Sequence, residues 1–324
     1  MSRRLLVVAA GVLALSVAGL VFVGYEWLLH GEPPPPPPEF KDSGATLSSQ
    51  QQFDKLAETD PVKMFAECLT RYQREVKDGL HCTIRMQERV KGEPKPPAVP
   101  PVEVIDVWVR GDVPNSNHHT AIEVLMKWTS GAKKPSIGFG AEIRGTLFSE
   151  KPAPEGLGGK VVTYRPGAIM GEISKPVDPN TDLAKSQSRY CVRDAGLYRS
   201  MLRTYEAWKT RQAAGELKFE YLGRQKPEHV GRECHVIRRV CPRVEIDAFE
   251  VGGTASTDPK VVAVEGFTEV TIFVDVERWL QVGTELYRTE PDGTRVLVGT
   301  YHFRDVQLNP SFPPDTFTEA GLKR

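Results

Sequence analysis

The chain has 324 residues, of which 40% are hydrophobic, and its 42 basic and 42 acidic side chains give a formal net charge of zero. A balanced charge argues against nucleic acid as a bulk partner, because proteins that bind it usually carry a basic excess or a basic stripe. The length and the hydrophobic fraction are sufficient for one large domain or two small ones.

The N-terminus predicts a membrane-spanning segment. Arg3 and Arg4 precede an uncharged apolar run over residues 5–24. Twenty helical residues, at about 1.5 Å each, cross a hydrocarbon core of about 30 Å. By the positive-inside rule we predict a cytoplasmic segment at 1–4, a transmembrane signal anchor at 5–29 and an exported remainder in the periplasm or extracytoplasmic space. A cleaved signal peptide is the alternative.

A proline-rich segment follows the predicted anchor. Pro33–Pro38 form an unbroken run, which favours an extended polyproline II spacer. The alternative is a ligand for a proline-binding domain. We assign residues 30–59 to a flexible linker and residues 60–320 to a single folded domain.

The folded domain is predicted to open with a helix. Asp60 is a good N-cap, and Pro61 suits the first helical position. Apolar residues recur at helical spacing through Val62, Phe65 and Leu69. The sequence therefore predicts an amphipathic helix with one buried face.

After this helix the apolar period changes to two, which is typical of half-buried strands. Pro291-Asp292-Gly293 is a hairpin signal, because proline fixes φ and glycine permits positive φ. Strands are predicted at residues 80–89, 102–111, 121–128, 136–143, 160–164, 217–222, 232–246, 268–275, 280–288 and 295–305.

A second helix interrupts the strands. Asp194 is its predicted N-cap, and Gly215 its predicted end. Leu197, Met201 and Trp208 belong to its apolar stripe. The order of elements lacks βαβ alternation, which argues against a Rossmann-like parallel sheet. We predict a mostly β (α+β) fold: one antiparallel sheet, curved towards a half-barrel and covered on one face by two helices.

Three stretches carry a family resemblance: "MKWTSGAKKP" from Met126, "GRECHVIRRVCP" from Gly231, and the closing "YHFRDVQLNPSFPPDTF". They resemble a family of exported bacterial domains of unknown function (DUF1571), typical of planctomycetes. The closing pattern is also similar to the LolA-like superfamily. That resemblance, over residues 60–317, implies a half-open antiparallel barrel that carries lipoproteins or binds lipids. The predicted anchor and the loop at 113–120 depart from the soluble carriers.

The sequence offers little catalytic chemistry. It has no G-x-S-x-G nucleophile elbow. The Gly and Lys residues around Lys133 and Lys134 lack the Walker spacing, and no helix follows the glycines at 138–145. His118-His119 is the sole adjacent histidine pair, and paired CxxC knuckles are absent. We expect no enzyme activity, no cofactor and no metal, and we rank an enzyme third among the hypotheses.

The five cysteines, Cys68, Cys82, Cys191, Cys234 and Cys241, are free to oxidise if the domain is exported. Cys234 and Cys241 lie on one predicted strand about 23 Å apart, whereas a disulfide needs Cα atoms about 4.4–6.8 Å apart. They cannot bridge each other. Pairing of Cys68 with Cys82, or of Cys234 or Cys241 with Cys82 or Cys191, stays open.

The alternating strand faces predict one concave apolar surface. Two outcomes are open: the helices fill the concavity as a packed core, or they leave a cavity for acyl chains. The leading hypothesis is a membrane-anchored domain that binds a lipid or a lipidated protein; the alternative is an envelope interaction scaffold without a ligand cavity. The candidate cavity residues are Ile105, Val107, Val109, Val124, Met126, Trp128, Phe219, Tyr221, Val270, Ile272 and Val274.

Overall fold

The computed structural model describes residues 50–91, 94–113, 121–132, 141–168 and 171–324. The predicted anchor, the proline run, the His118-His119 pair and the Lys133-Lys134 pair lie outside these ranges. Within them, no helix has both the length and the apolar character that crossing a membrane requires.

The core of the fold is one open, curved sheet of antiparallel strands, as the sequence predicts. Sequence neighbours pair in two runs, β1 to β5 and β6 to β10, and β1 joins β10 at the centre. The strands are β1 Leu80–Glu88, β2 Glu103–Arg110, β3 Glu123–Ser130, β4 Gly145–Ser149, β5 Lys160–Tyr164, β6 Lys218–Gln225, β7 Cys234–Glu245, β8 Phe267–Asp275, β9 Gln281–Thr289 and β10 Arg295–Leu308.

The fourth strand differs from its predicted position. The sequence pattern places it at 136–143, but β4 runs from Gly145 to Ser149 and is buried throughout. Residues 136–140 lie outside the described part of the chain. A strand buried on both faces has no alternating pattern, which is why "GTLFS" carries no period-two signal.

Strands β1 and β2 show how the sequence sets the concave face. Every second residue is buried along both strands. Ile84 pairs with Ile105 and Cys82 pairs with Val107, so the buried sets lie side by side. The register therefore gathers the predicted apolar face into one continuous surface.

Two helices precede the sheet: α1 (Gln50–Thr59) and α2 (Pro61–Glu75). The predicted cap of α2 is confirmed, since Asp60 Oδ1 accepts from the Lys63 amide at 3.1 Å. Helix α1 falls where the sequence analysis placed a flexible linker. Its Phe53 is fully buried and stacks on Trp279 with ring centroids 4.1 Å apart.

The second long helix begins later than predicted. After the short helix α3 (Asp182–Lys185), helix α4 covers Leu197–Ala213, and its N-cap is Gly196 rather than Asp194. The Asp194 carboxylate is engaged elsewhere: it accepts from Arg203 Nη2 at 3.0 Å. Gly196 has φ of 101°, a conformation that glycine adopts without strain.

Two shorter helices complete the fold and were missed from sequence. Helix α5 (Pro259–Glu265) precedes β8, and helix α6 (Glu319–Lys323) closes the chain. The last segment packs on the face of β3–β5 away from α4. A small separate cluster forms there from Leu125, Leu147, Val162, Phe317 and Leu322.

All five cysteines are buried and free, so none of the disulfides left open by the sequence is formed. Burial raises the pKa of the Cys191, Cys234 and Cys241 thiols to about 12. Such thiols stay protonated and behave as small apolar side chains.

We predict that Phe53→Ala lowers the free energy of unfolding by about 3–5 kcal/mol, because it removes a buried aromatic ring and leaves a cavity against Trp279. Urea denaturation measures this change. Lys55→Ala, at an exposed position of the same helix, is the matched control. Equal midpoints for the two variants would show that α1 contributes nothing to the fold.

Candidate functional site

An apolar cavity of about 510 Å³ lies between the concave face of the sheet and helix α4. This volume is within the range of small-molecule sites, roughly 300–1,000 Å³. Its floor comes from strands on both sides of the β1–β10 junction. The aliphatic floor residues include Ile84, Ile105, Met126, Val270, Ile272 and Leu286.

Small side chains on α4 explain why the space stays open. Ser200, Thr204 and Ala207 lie on the side of the helix that lines the cavity. They recur at i, i+4 and i+7, which is one face of a helix. Trp208 also reaches the cavity wall, and its ring packs edge-on against Phe65 of α2 at 5.5 Å. Helix α2 thus supports α4, while the short roof residues leave the floor uncovered.

The predicted cavity residues fall into two groups. Ile105, Met126, Trp128, Val270 and Ile272 line the cavity. The others lie elsewhere: Val107, Val109, Val124, Val274, Phe219 and Tyr221.

Packing accounts for the residues that do not reach the cavity. Val107, Val109 and Val124 are fully buried, but so are Ile105 and Ile272 of the lining, so the contact with α4 separates the two groups. A Cβ on Gly196 would lie 3.2 Å from Val109 Cγ2, so the start of α4 closes the sheet at this point. The concave face therefore has a closed half around Val109 and an open half under Ala207.

The far edge of the sheet is closed by α1. Val274 pairs with His235, whose Nε2 lies 3.1 Å from Asp54 Oδ1 of that helix. The Tyr221 hydroxyl is 2.9 Å from His235 Nδ1. Tyr221 and Phe219 therefore belong to an edge strand joined to α1, and not to the cavity.

The lining also includes polar residues that the sequence analysis did not single out. Tyr190 and Tyr301 pack with ring centroids 5.4 Å apart. Tyr190 donates to Asp247 Oδ2 at 2.6 Å, and Tyr301 donates to Glu88 Oε2 at 2.9 Å. Burial, and then the adjacent carboxylate, raises the pKa of both phenols, which therefore remain protonated donors.

Asp112 is a buried carboxyl at the start of α4. It is fully buried, and its two oxygens have no hydrogen-bond partner among the described residues. A Cβ on Gly196 would lie 3.6 Å from Asp112 Oδ2, which places the carboxyl beside the N-terminus of the helix. Burial raises the pKa of Asp112 to about 6, and Arg199 opposes that effect.

The polar groups of the described chain do not gather into a metal centre. No set of three or more His, Cys, Asp or Glu side chains within it could hold an ion. What the cavity offers is an apolar volume with hydrogen-bonding groups in its wall.

Fold and cavity together define the class: a mostly β, single-sheet domain with an internal apolar cavity. A family model described as a protein of unknown function, DUF1571, matches residues 77–321. The chain therefore belongs to the DUF1571 family, which confirms the resemblance seen in the sequence. Comparison with the curated proteins found no match.

Several solved structures are similar to this chain. A DUF1329 family protein from Desulfovibrio piger is 12% identical, covers 82% of this chain and 100% of its own, and has a TM-score of 0.36. A LolA superfamily protein from Nitrosomonas europaea is 12% identical, with coverages of 79% and 98% and a TM-score of 0.31. A domain from Vibrio parahaemolyticus, described as an outer membrane lipoprotein-sorting protein, is 11% identical, with coverages of 81% and 98% and a TM-score of 0.29.

We predict that Asp112→Asn removes a pH dependence of stability. The folded pKa of about 6 lies above the ordinary value of 3.8. The protonated carboxyl therefore contributes stability below about pH 4, and that contribution is lost as the pH rises through about 6. Relative to the variant, the wild type should lose about 3 kcal/mol between about pH 4 and pH 8, at about 1.36 kcal/mol per pKa unit.

Urea denaturation at both pH values measures this loss. Asp182→Asn, at a carboxylate whose side chain is 95% exposed, is the control and should follow the wild type. If the free energies of unfolding of Asp112→Asn and wild type differ by the same amount at both pH values, the raised pKa of Asp112 is contradicted.

Proposed function

We propose that this domain binds the acyl chain of a lipid, or of a lipidated protein, and does so without catalysis. The observation that carries the proposal is the cavity of about 510 Å³ with an aliphatic floor beneath the small roof residues of α4. An open apolar volume is costly to leave unfilled, because its lining forgoes dispersion contacts. A flexible hydrocarbon chain supplies them.

The energetics favour a chain over a compact polar molecule. Each buried methylene contributes about 0.8 kcal/mol. About ten methylenes would contribute about 8 kcal/mol before the costs of association are subtracted. The floor is hydrocarbon at Ile84, Ile105 and Ile272, so an acyl chain lying along these residues meets no charged group.

A route of entry lies at the rim. Leu183, on helix α3, lines the cavity and yet is 54% exposed. An exposed large apolar side chain beside an apolar opening suits the transfer of a chain from a membrane or another carrier. The segment around α3 is thus the proposed entrance.

The predicted N-terminal anchor adds a topological element to the proposal. If residues 5–29 hold the chain in the membrane, the domain lies on its extracytoplasmic side, within reach of lipids and membrane-bound partners. Such a tether suits the handing of cargo to a fixed neighbour. An interaction scaffold, using the same fold without a ligand, remains the alternative outcome of the test.

Native mass spectrometry of the protein, purified without detergent and then incubated with lipid, tests the proposal. The wild type should show adducts of lipid mass, and Ala207→Trp, which fills the roof of the cavity, should lose them. Gln212→Trp, at an exposed position of the same helix, should keep them. Thermal melting of each variant checks the fold.

Absence of adducts from folded wild-type protein would overturn the proposal in favour of a scaffold. So would equal adducts in the two tryptophan variants, because binding would then lie outside the cavity.

A further inference from the structure

The charges that line the cavity are balanced. Among the described lining residues, Glu88, Asp194 and Asp247 are acidic, and Arg165, Arg203 and Arg239 are basic. No lysine or histidine joins them in this part of the chain. A ligand that carried a net charge would therefore enter a site of no net charge.

Carboxylates of the protein already pair with Arg203 and Arg239, the more buried arginines of the lining. Arg203 Nη2 lies 3.0 Å from Asp194 Oδ2. Arg239, which is 1% exposed, donates through Nη2 to both oxygens of Glu245 at 2.6 Å. An anionic group could use either arginine only by competing with a carboxylate already in place.

The other charged residues of the lining are Glu88, Asp247 and Arg165. Glu88 and Asp247 accept from the tyrosine hydroxyls of Tyr301 and Tyr190. Arg165 follows β5 and is partly exposed, although its Nε is buried and has no hydrogen-bond partner among the described residues. Arg203 and Arg239, the more buried arginines of the lining, are thus already paired, so the deep part of the cavity offers no free cation to an anionic head group.

Three lining residues, Arg165, Arg239 and Gln281, have a buried side-chain atom without a hydrogen-bond partner in the described part of the chain, and the last two are the most deeply buried. Gln281 is 1% exposed, and its Nε2 donates to Thr284 Oγ1 at 2.8 Å. Its Oε1, a buried acceptor, has no partner among the described residues, and neither has Arg239 Nε, a buried donor. Gln281 on β9 pairs with Val274 of β8, and Arg239 on β7 pairs with Val270 of β8. The two positions are four residues apart on β8, or about 13 Å.

We infer that the ligand is an uncharged lipid, with a hydroxyl that donates to Gln281 Oε1 or an ester carbonyl that accepts from Arg239 Nε. A hydroxyl can donate to the glutamine oxygen, and a carbonyl can accept from the arginine. A buried polar group without a partner is unfavourable, so occupancy of these positions adds to affinity. A buried charge without a partner is far more costly, so ionised lipids are disfavoured. The inference rests on the proposed function.

Displacement of a fluorescent fatty probe, with competitors of equal chain length, tests the inference. Hexadecanol and methyl palmitate are the uncharged competitors, and palmitate at about pH 9 is the ionised one. We expect hexadecanol to bind at least about tenfold more tightly than palmitate, a ratio that corresponds to about 1.4 kcal/mol. Equal or tighter binding of palmitate overturns the inference. No displacement by any competitor overturns the proposed function instead.

Two variants link the selectivity to the named atoms. Gln281→Leu should weaken hexadecanol more than methyl palmitate, because only the alcohol can donate to Oε1. Glu245→Gln frees the Arg239 charge and should strengthen palmitate about tenfold, with hexadecanol little changed. Gln307→Leu, at an exposed position of β10 outside the cavity lining, is the control and should keep the wild-type ratios.

Thermal melting checks that each variant folds. A result from Gln281→Leu or from Glu245→Gln is sufficient by itself to test the named atoms. Wild-type ratios in a folded Gln281→Leu or Glu245→Gln protein contradict the assignment.

Discussion

The packing of α2 against α4 determines what the concave face of the sheet can do. Phe65 meets Trp208 edge-on at 5.5 Å, and Tyr72 packs near Tyr198 at 5.7 Å. These contacts hold α4 above the strands instead of letting it settle onto them. Trp208 packs against Phe65 of α2 and also borders the cavity. The same aromatic contact that stabilises the helix pair therefore keeps the space below it open.

From this arrangement the sheet acquires two unequal halves. Where α4 begins, Gly196 borders the cavity but also packs against Val109, which does not line it. One to three turns further on, the helix presents Ser200, Thr204 and Ala207, and the floor opposite them is left uncovered. The buried Asp112 lies at the closed end, beside the helix N-terminus. Helix geometry and side-chain size together thus separate the core from the cavity within one apolar face.

Much of the fold follows from periodicity, but the site does not. Alternation placed β1, β2 and the strands after α4 correctly, and the Asp60-Pro61 pair marked the start of α2. Helix α1 escaped because its buried face consists of Phe53 and Ala57 alone, too few residues for a helical pattern. Periodicity also predicts Val107 and Ile105 as equivalent, although only Ile105 reaches the cavity. The difference depends on where α4 crosses the sheet, which is a tertiary property, and the polar lining comes from segments far apart in sequence.

Methyl NMR under titration with a single-chain lipid tests most directly whether one apolar face contains both a closed core and an open cavity. The account predicts that the methyl signals of Ile84, Ile105, Ile272 and Met126 shift, because these residues line the open half. Those of Val107, Val109 and Val124 should stay in place, because these residues do not line the cavity. Equal shifts in both sets, or shifts confined to the valines, would contradict it.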